Sequence, residues 1–200
     1  MSQSKVLADK LYSGEGIAAD VVRIAAANIL LALCAHIVIP LPFTPVPITG
    51  QTFGVLLVAV LLGARRSAIA MVFYLFEGLM GLPVFQPLGI PGPARFLGPT
   101  AGYLIAYPFA AFATGWLVER NSRLFRASKS QPAGAALAGA LLCGEAIIFA
   151  FGCAWLASGF HLGWARAFQT GALPFVPGEI VKMALIVTFV AGFALFHGES

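Results

Sequence analysis

Glu179 and Lys182 stand three residues apart in an otherwise apolar stretch opened by Pro177-Gly178. That spacing puts both side chains on one face of a helix. The acid falls in the first turn, where the helix dipole favours negative charge. An acceptor beside a donor suits a ligand group with adjacent N–H and C=O. The competing reading is an ion pair that neutralises itself and snorkels to an interface. Ionisable residues within membrane-length apolar stretches are expensive and point to function. The others are Glu77, in Tyr74-Leu75-Phe76-Glu77-Gly78, and Glu145, with Asn28 and His36 as candidate polar partners for Glu145. Glu77 reads equally as a pocket residue or an interfacial acid.

The apolar stretches that position these groups dominate the chain. Of 200 residues, 60% are hydrophobic and 10% charged, too little polar surface for a soluble domain. The formal net charge of +4 comes largely from basic clusters: Lys5, Lys10 and Arg23, then Arg65-Arg66, then Arg120, Arg123, Arg126 and Lys129. Basic residues facing anionic lipid account for this charge without nucleic acid. A span needs about 20 apolar residues. The pattern predicts spans over Ala18–Ile39, Gln51–Leu62, Ser67–Met80, Thr100–Val118, Ala133–Ala157 and Pro177–Phe196. The expected fold is an all-α bundle of six transmembrane helices, residues 18–196, with a polar segment over 1–17 and a tail over 197–200. The arginine clusters lie on the side of both termini, which places that side in the cytoplasm. The opposite loops carry only Arg95 and Arg166 as basic residues. Either can hold a ligand carboxylate, or be a solvated loop residue.

The second span is short for a crossing, and Pro40-Leu41-Pro42-Phe43-Thr44-Pro45-Val46-Pro47 before it forbids regular helix. Irregular backbone at membrane depth is tolerated where it lines a cavity, so residues 40–51 are expected to border an outward-facing pocket, the alternative being an ordinary surface loop. Leu41-Pro42-Phe43-Thr44-Pro45 and Leu173-Pro174-Phe175-Val176-Pro177 read as two independent proline-framed helix starts. Phe43, Phe53, Tyr74, Phe85, Tyr103 and Trp164 cluster near the same ends, as an interfacial belt or as pocket walls. Small residues four apart, Ala106, Ala110 and Thr114, then Ala136, Ala140 and Gly144, allow close helix packing, either internal, which is the default, or against another membrane subunit. Cys34, Cys143 and Cys153 read as small packing residues. No phosphate-binding loop, metalloprotease or serine-hydrolase motif occurs, and no cleavable signal peptide is expected.

Four ordered motifs carry a resemblance. Pro45-Val46-Pro47-Ile48-Thr49-Gly50-Gln51-Thr52, Glu77-Gly78-Leu79-Met80-Gly81-Leu82-Pro83-Val84-Phe85, Gly98-Pro99-Thr100-Ala101-Gly102-Tyr103-Leu104 and Leu173-Pro174-Phe175-Val176-Pro177-Gly178-Glu179-Ile180-Val181-Lys182 resemble the BioY family. These are the biotin-binding S components of bacterial energy-coupling factor (ECF) transporters. The resemblance implies a non-enzymatic cell-membrane protein with no cofactor, biotin being the transported ligand. It implies as partners a transmembrane coupling (T) component and two ABC-type ATPases. It implies that Glu179 and Lys182 contact the ureido ring, although the family's usual acid at that position is Asp. Gln51 and Arg95 carry over as pocket residues, and Glu77, Tyr103, Phe53 and Phe85 complete the expected ligand-binding set. The loops 81–99 and 40–51 are expected to close over the ligand. The rival reading is a self-sufficient, proton-coupled carrier using Glu77 and Glu145 as a relay.

Overall fold

The computed structural model describes residues 16–121 and 133–197. Lys5, Lys10, Arg123, Arg126, Lys129, residues 1–15 of the N-terminal segment and residues 198–200 of the tail lie outside the described residues. The elements run α1 (Ile17–Ala35), β1 (Val38–Ile39), β2 (Ile48–Thr49), α2 (Gln51–Leu79), a 3-10 helix (Gly92–Leu97), α3 (Ala101–Arg120), α4 (Ala133–Gly159), α5 (Trp164–Gly171) and α6 (Val176–His197). Among the described residues, five helices are long and apolar enough to cross a membrane, against the six spans expected.

The difference lies in α2, which merges the expected second and third spans. Its helical pattern continues through Gly63, but that residue has φ 75° and ψ −176°, a conformation essentially confined to glycine. The chain reverses there. Gln51 Nε2 donates to Tyr74 Oη at 2.9 Å across 23 positions, whereas an unbroken helix would hold residues so far apart in sequence about 35 Å from each other. Glu119 Oε1 accepts the Ala64 N–H at 2.9 Å, satisfying an orphan donor at the new helix start. Gly115 of α3 packs so tightly here that a Cβ would stand 2.5 Å from the Ala64 nitrogen.

The first half of α2 is central. Gly54 to Val60 are all buried, with Val55, Val58 and Ala59 in one apolar cluster and Leu56, Leu57 and Val60 in another. A helix apolar all round is a buried one. This explains how twelve residues suffice: the segment meets protein on every side and has no lipid-facing length to match. By contrast Val21, Val22, Ile29 and Leu33 of α1 and Ile180, Val181, Leu185 and Phe189 of α6 are exposed, as helices facing hydrocarbon must be.

Around this core α1 packs on α2, α2 on α3, and α3 on α4, while α6 lies against α4 and the first half of α2. The small-residue faces serve internal packing. Ala106, Ala110 and Ala140 are buried, Thr114 Oγ1 donates to the Ala140 carbonyl at 3.3 Å, and a Cβ on Gly144 would meet Thr114 Oγ1. Ala136, at the start of the same stripe, is exposed. Cys34 and Cys153 are buried and all three cysteines are free, as packing residues should be.

Two elements were not expected. The first helix stops at Ala35 rather than Ile39 because Val38 and Ile39 pair antiparallel with Thr49 and Ile48. The proline-rich segment is therefore the tip of a small hairpin. Residues expected to form a loop make the eight-residue helix α5, tied down where Tyr103 Oη donates to the Gly171 carbonyl at 2.6 Å and Thr44 Oγ1 to the Thr170 carbonyl at 2.7 Å.

Candidate ligand-binding site

The hairpin delivers Thr49, Gln51 and Thr52 to the start of α2, beside the start of α6. Lys182 Nζ donates to Glu179 Oε1 at 2.7 Å, to the Thr49 carbonyl at 2.7 Å and to Thr52 Oγ1 at 2.9 Å. An ammonium has three protons, and all three are used. Thr52 Oγ1 donates in turn to Glu179 Oε2 at 2.8 Å. The expected pair thus faces into protein with side-chain exposures of 15% for Lys182 and 5% for Glu179, which rules out a snorkelling surface pair.

Beside this network lies a cavity of about 40 Å³. Gln51, Thr52 and Glu179 form its polar side, and Tyr103, Tyr107, Ile148, Phe149 and Phe175 its apolar side. A second cavity of about 190 Å³ sits between the hairpin tip, with Pro40, Leu41 and Thr44, and the long loop, with Leu88, Gly89 and Pro99. Pro47, Gln86 and Thr100 line both cavities. The two loops expected to cover a ligand therefore face each other across the second cavity, which adjoins the first at these three residues. The inner cavity has room for a few waters, so a bicyclic ligand enters it only if these walls move.

The remaining expected residues divide. Gln51 and Tyr103 line the inner cavity. Arg95 does not: it is 7% exposed, and its Nη1 and Nη2 donate to the Leu88 and Gln86 carbonyls at 2.5 Å each, so it braces the loop that carries Gln86. Phe85 lies behind the cavity in the core, edge-on to Tyr74 with centroids 5.2 Å apart, in the space left by Gly78, where a Cβ would strike its ring. Phe53 packs against the second apolar cluster. Glu77 is away from the cavity, accepting from Asn28 Nδ2 at 2.9 Å. Asn28 is thus the partner of Glu77 and not of Glu145. His36 is exposed, its Nδ1 2.7 Å from the Ala32 carbonyl, and does not serve Glu145 either. Arg166 and Trp164 are exposed on α5, and Phe43 is exposed at the hairpin tip.

Thr49 and Thr52 also belong to the site, their signal in the sequence being their position flanking Gln51. Tyr107 and Phe149 carry no signal among so many apolar residues, whereas Phe175 lies in the proline-framed motif before α6 without being expected in the site. Tyr74, read as one aromatic of a belt, is fully buried and accepts from Gln51 while donating to the Val84 carbonyl at 2.7 Å.

The family model described as the BioY family matches residues 3–196. A biotin transporter BioY of Rhizobium etli is 40% identical over 172 residues, covering 86% of this chain and 89% of the relative. One from Thermotoga maritima is 35% identical over 148 residues, covering 74% and 80%. A solved structure, the S-component for biotin from an ECF-type ABC transporter, superposes with a TM-score of 0.76 at 28% identity, covering 86% of this chain and 88% of that one.

Proposed function

This chain belongs to the BioY family, and on that premise we propose that it captures biotin with high affinity as the substrate-binding subunit of an ATP-driven ECF transporter. It is a multi-pass membrane protein of a transporter family, and it is not an enzyme. The observation that carries the proposal is the Glu179–Lys182–Thr52 network at the head of a mostly apolar cavity. A ureido ring presents N–H donors beside a carbonyl. Glu179 accepts from a ring N–H, and Lys182 donates to the carbonyl, each exchanging part of its present bonding. Phe149, Phe175 and Tyr107 enclose the thioether ring. The pentanoate chain follows the path past Gln86 into the cavity between the loops, within the reach of a loop braced by Arg95. Small-molecule sites have this make-up, apolar walls with a few placed polar groups.

The proposed topology has six crossings, the two halves of α2 counting separately because the chain reverses at Gly63. Arg23 and Arg66, both paired with Asp20, lie at the Gly63 end with Arg120 at the end of α3. Basic residues mark the cytoplasmic side, so both termini face the cytoplasm of the bacterial inner membrane and the paired cavities face outside. The partners are a transmembrane coupling protein and two ABC-type ATPase subunits, which supply the energy. Radiolabelled biotin uptake in a transport-deficient bacterium tests this arrangement. Uptake should require the coupling and ATPase subunits and survive brief collapse of the proton gradient while ATP is held constant. The reverse pattern would establish a proton-coupled carrier.

Thr52 gives a smaller, local prediction. Thr52→Val keeps the shape but removes the hydroxyl that bridges Lys182 and Glu179. A buried hydrogen-bond partner left unsatisfied costs about 1–3 kcal/mol, so biotin affinity should fall about tenfold in a calorimetric titration. An unchanged affinity would remove Thr52 from the site.

A further inference from the structure

Glu145 is the buried group that the proposed network leaves unused. It is 4% exposed, and among the described residues it is the one carboxylate with both oxygens buried and without a hydrogen-bond partner. Buried polar groups are almost always partnered, and an acid in the middle of a spanning helix is costly to keep. Every other acid near the site is satisfied: Glu179 by Lys182 and Thr52, Glu77 by Asn28. Asn28 and His36 are committed elsewhere.

Its position gives the orphan a direction. Glu145 precedes Ile148 and Phe149 by three and four residues, so it shares their face of α4, one turn away. Ile148 and Phe149 line the inner cavity. The charged side chains that act on Glu145 are Glu179 and Lys182, and Tyr107, on the cavity wall, lies within electrostatic reach of both acids. Glu179 lines this cavity with Lys182 bonded to it, and Glu145 stands one helical turn from two of its lining residues. A cyclic urea carries two N–H donors and one carbonyl acceptor. The numbers match: one acid for each N–H, and Lys182 for the carbonyl.

We propose that Glu145 is a further ligand-binding residue, accepting the second ring N–H of a cyclic urea at the inner end of the cavity. The assignment rests on the biotin reading and extends it. Glu145 does not line the cavity as it stands, so the ligand displaces Ile148 and Phe149 as it seats, and the N–H it brings gives Glu145 the donor that the protein itself withholds. A site built this way recognises its cargo by what is missing. An analogue lacking one N–H leaves an acid buried and unpaired, which a hydrogen-bonding site rejects strongly.

The test is calorimetric titration of wild type, Glu145→Leu and Glu145→Gln with biotin and with its two mono-N-methylated analogues. Leucine removes the acceptor, and since it also removes an unpartnered acid the folded protein should melt no lower than wild type. Biotin affinity should fall about tenfold or more in Glu145→Leu and less in Glu145→Gln, which keeps an acceptor oxygen. One methylated analogue should bind wild type and Glu145→Leu alike, because each change deletes the same bond. Full biotin affinity in Glu145→Leu would overturn the assignment alone. So would a Glu145→Leu substitution that weakens the binding of both methylated analogues equally. A folded wild type that binds no biotin would overturn the biotin reading and this assignment together.

Discussion

Lys182→Ala is expected to weaken biotin binding about thirtyfold or more while leaving a folded protein. The side chain spends its three protons on Glu179, Thr52 and the Thr49 carbonyl. Cutting it away leaves Glu179, itself 4% exposed, with only the Thr52 hydroxyl as donor, and removes the donor proposed for the ureido carbonyl. Truncating one partner of a buried, hydrogen-bonded charge pair costs about 2–5 kcal/mol, roughly thirtyfold to several thousandfold in affinity. Lys182→Arg should not restore binding, because a planar fork cannot reach three acceptors arranged around one ammonium. Titration beside a thermal melt separates lost binding from lost fold. A folded Lys182→Ala protein within about threefold of wild-type affinity would remove Lys182 from the ligand's contacts.

The second large effect concerns the chain reversal on which the site depends. Gly63→Ala forces a Cβ onto a residue with φ 75° and ψ −176°, at a cost of about 1–3 kcal/mol. The turn is also closely packed, since Gly115 brings α3 against the Gly63 and Ala64 backbone. The expected result is a melting temperature several degrees lower in detergent, with weaker biotin binding as Gln51 and Tyr74 lose their register. Gly139→Ala is the control: a Cβ there meets nothing within 4 Å, so helix propensity should make it neutral or slightly stabilising. Equal melting of the two variants would show that the turn does not need its glycine.

What the sequence disclosed, and what it hid, follow the range of each signal. Glu179 and Lys182 were legible as one face of one helix because i,i+3 geometry is local. Thr52 was not, since it meets Glu179 across 127 positions and nothing local marks that meeting. The Gly63 break was legible as the end of an apolar run followed by two arginines, although the helical hydrogen bonding continues across it. The β1–β2 pairing is two residues long on each side, too short for alternation to register, and α5 is short enough to pass as a glycine-flanked loop. Arg95 shows the limit of composition. A lone cation in a loop suits a ligand carboxylate, but only the fold reveals that its guanidinium already holds two carbonyls. For Glu145, sequence offered two polar partners, and packing gave Asn28 to Glu77 instead.

These residues matter together only if the inner cavity receives biotin. Calorimetric titration of the purified, ligand-free wild-type protein with biotin is the most direct measurement. Tight binding near one-to-one, abolished or strongly weakened by Lys182→Ala, is the predicted result. A folded, ligand-free protein that takes up no biotin would contradict the account at its centre.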